Sequence, residues 1–77
     1  MNNSIIQSVI LKKSIYTIPE VISRLNNHNL TAIKIDITTN YYRCRQISPI
    51  KLKNEGYAHY ITKKLNNGDI ELIIAYK

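Results

Sequence analysis

The sequence predicts a single α+β domain with the element order β-α-β-β-β-β, in which one helix packs on one face of a mostly antiparallel sheet. Three patterns support this: a Thr-x-x-Glu helix start, strict apolar–polar alternation in residues 32–38, and the turn sequence Asn-Asn-Gly-Asp between two apolar segments. A chain of 77 residues has the size of one domain, so we expect residues 1–77 to form one unit with a small core.

The first two elements have clear boundaries in the sequence. Residues 5–12, IIQSVILK, are rich in β-branched side chains and predict a strand. Thr17 can cap a following helix, Glu20 can complete a capping box, and Pro19 suits the first turn. Asn29 favours a left-handed residue at the end of this helix. One apolar stripe on the helix should pack on the sheet: Ile18, Val21, Ile22 and Leu25.

Four further strands follow from alternation and turn signals. Residues 32–38 place three isoleucines on one side, and the pattern resumes in residues 41–47, YYRCRQI. The segment SPIKLKNEG should be a loop or a single turn, because Pro49 lacks a ladder donor and Gly56 closes it. Residues 57–65 and 70–76 flank NNGD and predict a hairpin.

Positive charge is concentrated in one window. The chain carries 11 Lys and Arg against 5 Asp and Glu, a net charge of +6. Residues 40–65 contain six of these cations but only one acid, Glu55. We therefore expect an anionic partner.

The candidate binding residues lie within and beside this window. Arg43 and Arg45 should project from the same sheet face, together with Tyr41. Arginines can contact phosphates in a bidentate manner, and a tyrosine ring can stack on exposed bases. The predicted nucleic-acid-binding set is Lys34, Tyr41, Arg43, Arg45, Lys51, Lys53, Lys63 and Lys64. The alternative is a solvated sheet face on which charged residues pair with their neighbours.

Catalytic chemistry is not indicated. A thiol beside Arg43 and Arg45 can be reactive, but alternation directs Cys44 to the other face, as a small buried hydrophobe. His28 and His59 have no partner at ligand spacing, so no zinc site is predicted. The carboxylates form no recognisable acid–base pair, and two glycines are too few for a nucleotide-binding loop. We expect no enzymatic activity, no metal and no cofactor.

Several motifs together resemble a small domain that recurs in tailed phages and large DNA viruses. They are S-V-I at 8–10, N-H-N at 27–29, K-I-D at 34–36, Y-Y-R-C-R-Q at 41–46, Pro49, T-K-K-L at 62–65 and G-D-I-E-L-I-I at 68–74. That family usually has Gly where this chain has Asn29, and Phe where it has Cys44. The resemblance implies a viral or phage origin and association with the virion, but no mechanism.

The expected function is binding of nucleic acid, DNA rather than RNA, through its phosphate backbone with little sequence specificity. The alternative is a structural module that acts through homo-oligomerisation or binds an acidic protein. A homodimer is expected because the core is small and residues 70–76 are apolar on both sides. The N-terminal apolar segment is too short for a signal peptide, no segment can span a membrane, and the single Cys suits a reducing compartment. We expect the host cytoplasm or nucleus, or packaging in the virion.

Overall fold

A computed structural model describes residues 4–77 of the chain. The first three residues, part of the segment considered for a signal peptide, lie outside the described residues. The described elements are β1 (Ser4–Lys12), α1 (Ile18–Asn27), β2 (Lys34–Ile37), β3 (Tyr41–Arg45), α2 (Pro49–Asn54), β4 (His59–Leu65) and β5 (Ile70–Tyr76).

The strands form one antiparallel sheet with the order β2-β3-β1-β5-β4. The predicted α+β class, with one main helix on a mostly antiparallel sheet, is therefore confirmed. β1 lies at the centre, and the C-terminal β5 lies between β1 and β4. The two edges are β2 and β4, which belong to the middle of the chain.

The centre of β1 contains a β-bulge that holds the segment after β3 in place. The register with β5 shifts between Ile6 and Ser8, and both Gln7 and Ser8 are buried. The Ser8 hydroxyl donates to the Gln7 side-chain oxygen at 2.7 Å, and the Gln7 amide donates to the carbonyl of Ile47 at 3.2 Å. Because these buried polar groups are satisfied, the bulge is stable and holds the segment after β3 against β1.

Helix α1 begins at the predicted capping box. The Glu20 carboxylate accepts hydrogen bonds from the Thr17 backbone N–H at 3.0 Å and from its hydroxyl at 2.9 Å. The apolar stripe is narrower than predicted, since Val21 and Leu25 are buried while Ile18 and Ile22 remain 39% and 45% exposed. Only Val21 and Leu25 of this stripe are buried against the sheet.

We call the side of the sheet under α1 the helix face. Cross-strand pairing aligns Val9 and Cys44 in its centre, with Ile35 of β2 opposite Cys44. Cys44 is fully buried, as alternation predicts. Ile35 and Tyr42 pack against the core cluster around Cys44. The main core thus lies between α1 and the strands β1 and β3.

The segment predicted as a loop or single turn forms the short helix α2. The Ser48 hydroxyl caps it by accepting from the backbone N–H of Lys51 at 3.2 Å, and Pro49 occupies the first turn. Leu52 is fully buried but is not part of the cluster under α1. Pro49 shares a shallow depression with Tyr60 of β4, whose register partner is Ala75. The depression shared with Tyr60 places α2 beside β4, on the sheet face opposite α1.

Three predicted strands are shorter in the structure, whereas the predicted hairpin is present. The segments 32–38, 41–47 and 57–65 contribute only Lys34–Ile37, Tyr41–Arg45 and His59–Leu65. Asn66, Asn67 and Gly68 of the hairpin turn all have positive φ, as does Asn29 after α1. Glycine lacks a Cβ and Asn has a short polar side chain, so both residues tolerate this backbone, which explains their positions.

Candidate nucleic-acid interface

Four of the predicted residues converge on the opposite face, the side of the sheet away from α1. Tyr41, Arg43 and Arg45 alternate along β3 with the inward Tyr42 and Cys44. Lys34 of β2 is the register partner of Arg45. Alternate residues of a strand are about 7 Å apart, so the side chains from Tyr41 to Arg45 follow a line of about 14 Å.

One carboxylate, that of Asp36, partly neutralises the positive charge of these side chains. Asp36 lies 3.5 Å from the ammonium of Lys34 and 3.7 Å from the guanidinium of Arg45. Arg43 is the register partner of Asp36, yet it makes no ion pair within 4 Å among residues 4–77. Arg43 is exposed, so its guanidinium is available to an external anion.

A polar depression lies next to Tyr41, at the end of the row of side chains on β3. A depression of about 320 Å³ is lined by Lys12, Lys13, Ser14, Thr39, Asn40 and Tyr41. The Lys13 ammonium donates to the carbonyl of Thr38 at 3.1 Å, and Lys12 lies 3.9 Å from Asp69. These two lysines were not among the predicted residues. Their Lys-Lys pair at the end of an apolar strand was visible in the sequence, but its position beside Tyr41 depends on the pairing of β1 with β3.

The other four predicted lysines do not join this line. Lys64 lies on the same face, but it belongs to the far edge strand and is paired in register with Glu71. Lys63 is the register partner of Leu72 and therefore points to the helix face. Lys51 and Lys53 are exposed on α2. The six cations of the window are thus divided among three surfaces, because alternation and strand order separate residues that are close in sequence.

We use the term β3 surface for the residues that do converge: Lys12, Lys34, Tyr41, Arg43 and Arg45. The ammonium of Lys13 instead lies over the ring of the inward Tyr42, 6.0 Å from its centroid. The four cations of the β3 surface are opposed by Asp36 and Asp69, which leaves a net charge of +2. Such a surface can bind more than one phosphate at once, and Tyr41 is half-buried.

The structure also bears on the thiol of Cys44, on metal binding and on membrane-spanning helices. Burial raises the pKa of the Cys44 thiol, which favours the neutral form over the nucleophilic thiolate. Among residues 4–77, no group of three or more His, Cys, Asp and Glu side chains is arranged to hold a metal ion. Within the same residues, no helix has the length and apolar character required to cross a membrane.

Comparison with family models, with curated proteins and with solved structures gave no match to this chain. The resemblance to a phage and viral domain therefore stays a prediction.

Proposed function

We propose that the protein binds nucleic acid through phosphate contacts made by the β3 surface, with little sequence preference. The observation that carries the proposal is the alignment of Tyr41, Arg43 and Arg45 along one strand, with Lys34 beside Arg45. Binding of this kind serves genome-associated functions such as packaging or compaction.

The physical basis is electrostatic. Each strand of a duplex carries one phosphate per about 3.4 Å of helix axis, so a line of about 14 Å lies alongside several phosphates. Arginine can contact a phosphate with two parallel hydrogen bonds, and Tyr41 adds a ring on which an unpaired base can stack. A flat sheet surface does not enter a groove as a recognition helix does, so base-specific contacts are not expected.

The direct test is the double charge reversal Arg43→Glu/Arg45→Glu. We expect anisotropy titrations with labelled single-stranded and duplex DNA at low salt to show strong loss of binding. Both side chains point out of the core, so thermal unfolding should show that the fold is retained. The single change Lys64→Glu is the matched control, because it reverses a cation of the same face outside the β3 surface. Unchanged affinity in the double variant would remove this surface from the proposal.

Self-association stays a prediction. Residues 70–76 are apolar on both sides, which predicts a second cover for this segment. In the fold β5 is flanked by β1 and β4, and Ala75 is already buried within one chain. This accounts for part of the apolar character without a partner. Sedimentation at micromolar concentration tests the homodimer directly.

A further inference from the structure

Helix α1 covers only part of the helix face. Burial is nearly complete at Val9 and Cys44, which are 5% and 0% exposed, but Leu72 is only half-buried. Exposure rises further on the edge strand, to 49% at Ile61 and 36% at Leu65. We call the partly exposed apolar side chains of these two strands the β4–β5 strip: Ile61, Leu65, Leu72 and Ile74.

A groove separates α1 from the strip and reaches down to the core. Its volume is about 340 Å³, and its floor includes the buried side chains of Leu11 and Ile70. Leu25 of α1 and Leu65 of β4 face each other across it. A groove of this size with apolar walls is typical of a site that receives apolar side chains.

The dimensions of the uncovered strip match a second helix. Packed helices lie 8–10 Å apart, which is about two strand spacings of 4.8 Å. Because the most buried positions under α1 belong to β1 and β3, a neighbouring helix at this distance would lie over β5 and β4. Strand β4 has seven residues, a length of about 24 Å that a helix of about 16 residues would span.

The charges around the strip are positive on both sides. Arg24 and His28 line the groove on the α1 side. Lys63, the register partner of Leu72, projects from β4 on the other side. No acidic side chain of β4 or β5 lies on this face, since Glu71 points to the opposite one.

From these observations we propose that the β4–β5 strip binds an amphipathic helix of a partner protein, whose apolar stripe is flanked by Asp or Glu side chains. A second copy of this chain does not fit the charges. It would bring two Lys63 side chains and their neighbouring cations together without an acid. Its own helix α1 offers only Glu20, whose carboxylate is engaged by Thr17. This surface is separate from the β3 surface, so the two proposals can be tested independently.

The test uses a labelled synthetic peptide of about 16 residues with leucines at helical i, i+3, i+4 and i+7 spacing and glutamates beside them. A matched peptide has lysine in place of every glutamate. We expect the glutamate peptide to bind the wild-type chain and to become helical by circular dichroism, while the lysine peptide does not bind. Lys63→Glu should weaken glutamate-peptide binding about tenfold, because an attraction becomes a repulsion.

Two further variants distinguish peptide binding at the β4–β5 strip from a general effect of net charge. Leu65→Glu should abolish peptide binding, because it puts a charge into the groove. Lys64→Glu, the neighbouring change on the opposite face, should leave peptide affinity unchanged. The proposal is overturned if the glutamate peptide does not bind, if both peptides bind equally, or if sedimentation shows a dimer that Leu65→Glu dissociates. Nucleic-acid binding should be the same in Lys63→Glu and the wild type.

Discussion

The salt dependence of nucleic-acid binding gives the sharpest test of the β3 surface, and Arg43 is the residue on which it depends. Arg43 is exposed and makes no ion pair within residues 4–77, whereas Arg45 and Lys34 share Asp36. Replacing Arg43 with glutamine therefore removes one full phosphate contact. Replacing Arg45 also removes an ion-pair partner of Asp36, so a change in DNA affinity would have two causes.

The magnitude follows from the charge count. A net charge of +2 corresponds to about two phosphate contacts, for which log affinity for duplex DNA falls with log salt at a slope of about −1.8. Raising the salt from about 50 to 200 mM should then weaken wild-type binding about 12-fold. Arg43→Gln leaves about one contact, a slope of about −0.9 and a loss of about 3.5-fold over the same range.

The assay is anisotropy titration of a labelled duplex at four or more salt concentrations. Lys64→Gln is the matched control, because Lys64 lies on the same face three strand spacings, about 14 Å, from Arg43. Equal slopes for Arg43→Gln and the wild type would refute the reasoning. So would a reduction for Lys64→Gln as large as that for Arg43→Gln, since binding would then follow net charge alone.

Three further predictions concern stability. Thr17→Ala should lower the free energy of unfolding by about 1 kcal/mol in urea titrations, because the cap hydroxyl is lost. Hydrogen bonds from the Thr17 backbone and hydroxyl, with Arg24 nearby, lower the pKa of Glu20. The stabilisation by the Glu20 carboxylate is therefore present above its ordinary pKa of 4.5 and is lost as the pH falls through the lowered value. Burial raises the pKa of Cys44 above its ordinary 9.0, so stability should fall above about pH 9 by up to about 1.4 kcal/mol per pH unit. Leu52→Ala should cost about 2–5 kcal/mol, since Leu52 is fully buried.

Each of these predictions has its own control. Thr17→Ser keeps the capping hydroxyl and should retain most of the stability. Cys44→Ala removes the alkaline decline that is due to the thiol, so identical pH profiles for this variant and the wild type would contradict the argument. Ile50→Ala is the control for Leu52, because Ile50 lies on the same helix but is 74% exposed. Similar losses for the two α2 variants would mean that α2 is not anchored by Leu52.

Local patterns in the sequence predicted most elements. The capping box at Thr17, the positive φ of Asn29 and the turn after β4 each depend on neighbouring residues, and all three are present. Helix α2 lies where the sequence predicts a loop or a single turn, a prediction based on the missing ladder donor of Pro49. Pro is equally suited to the first turn of a helix, and Ser48 supplies the cap.

The sequence predicted only the part of the candidate site that lies on one strand, β3. Alternation alone determined that Tyr41, Arg43 and Arg45 share a face and that Cys44 lies on the other, because successive side chains of a strand point to opposite sides. Tertiary structure decided which strands lie beside β3. It added Lys12 to the site, and it placed Lys63 and Lys64 on opposite faces of the far edge. Strand order arises from long-range pairing across the sheet, and no window of neighbouring residues contains that information.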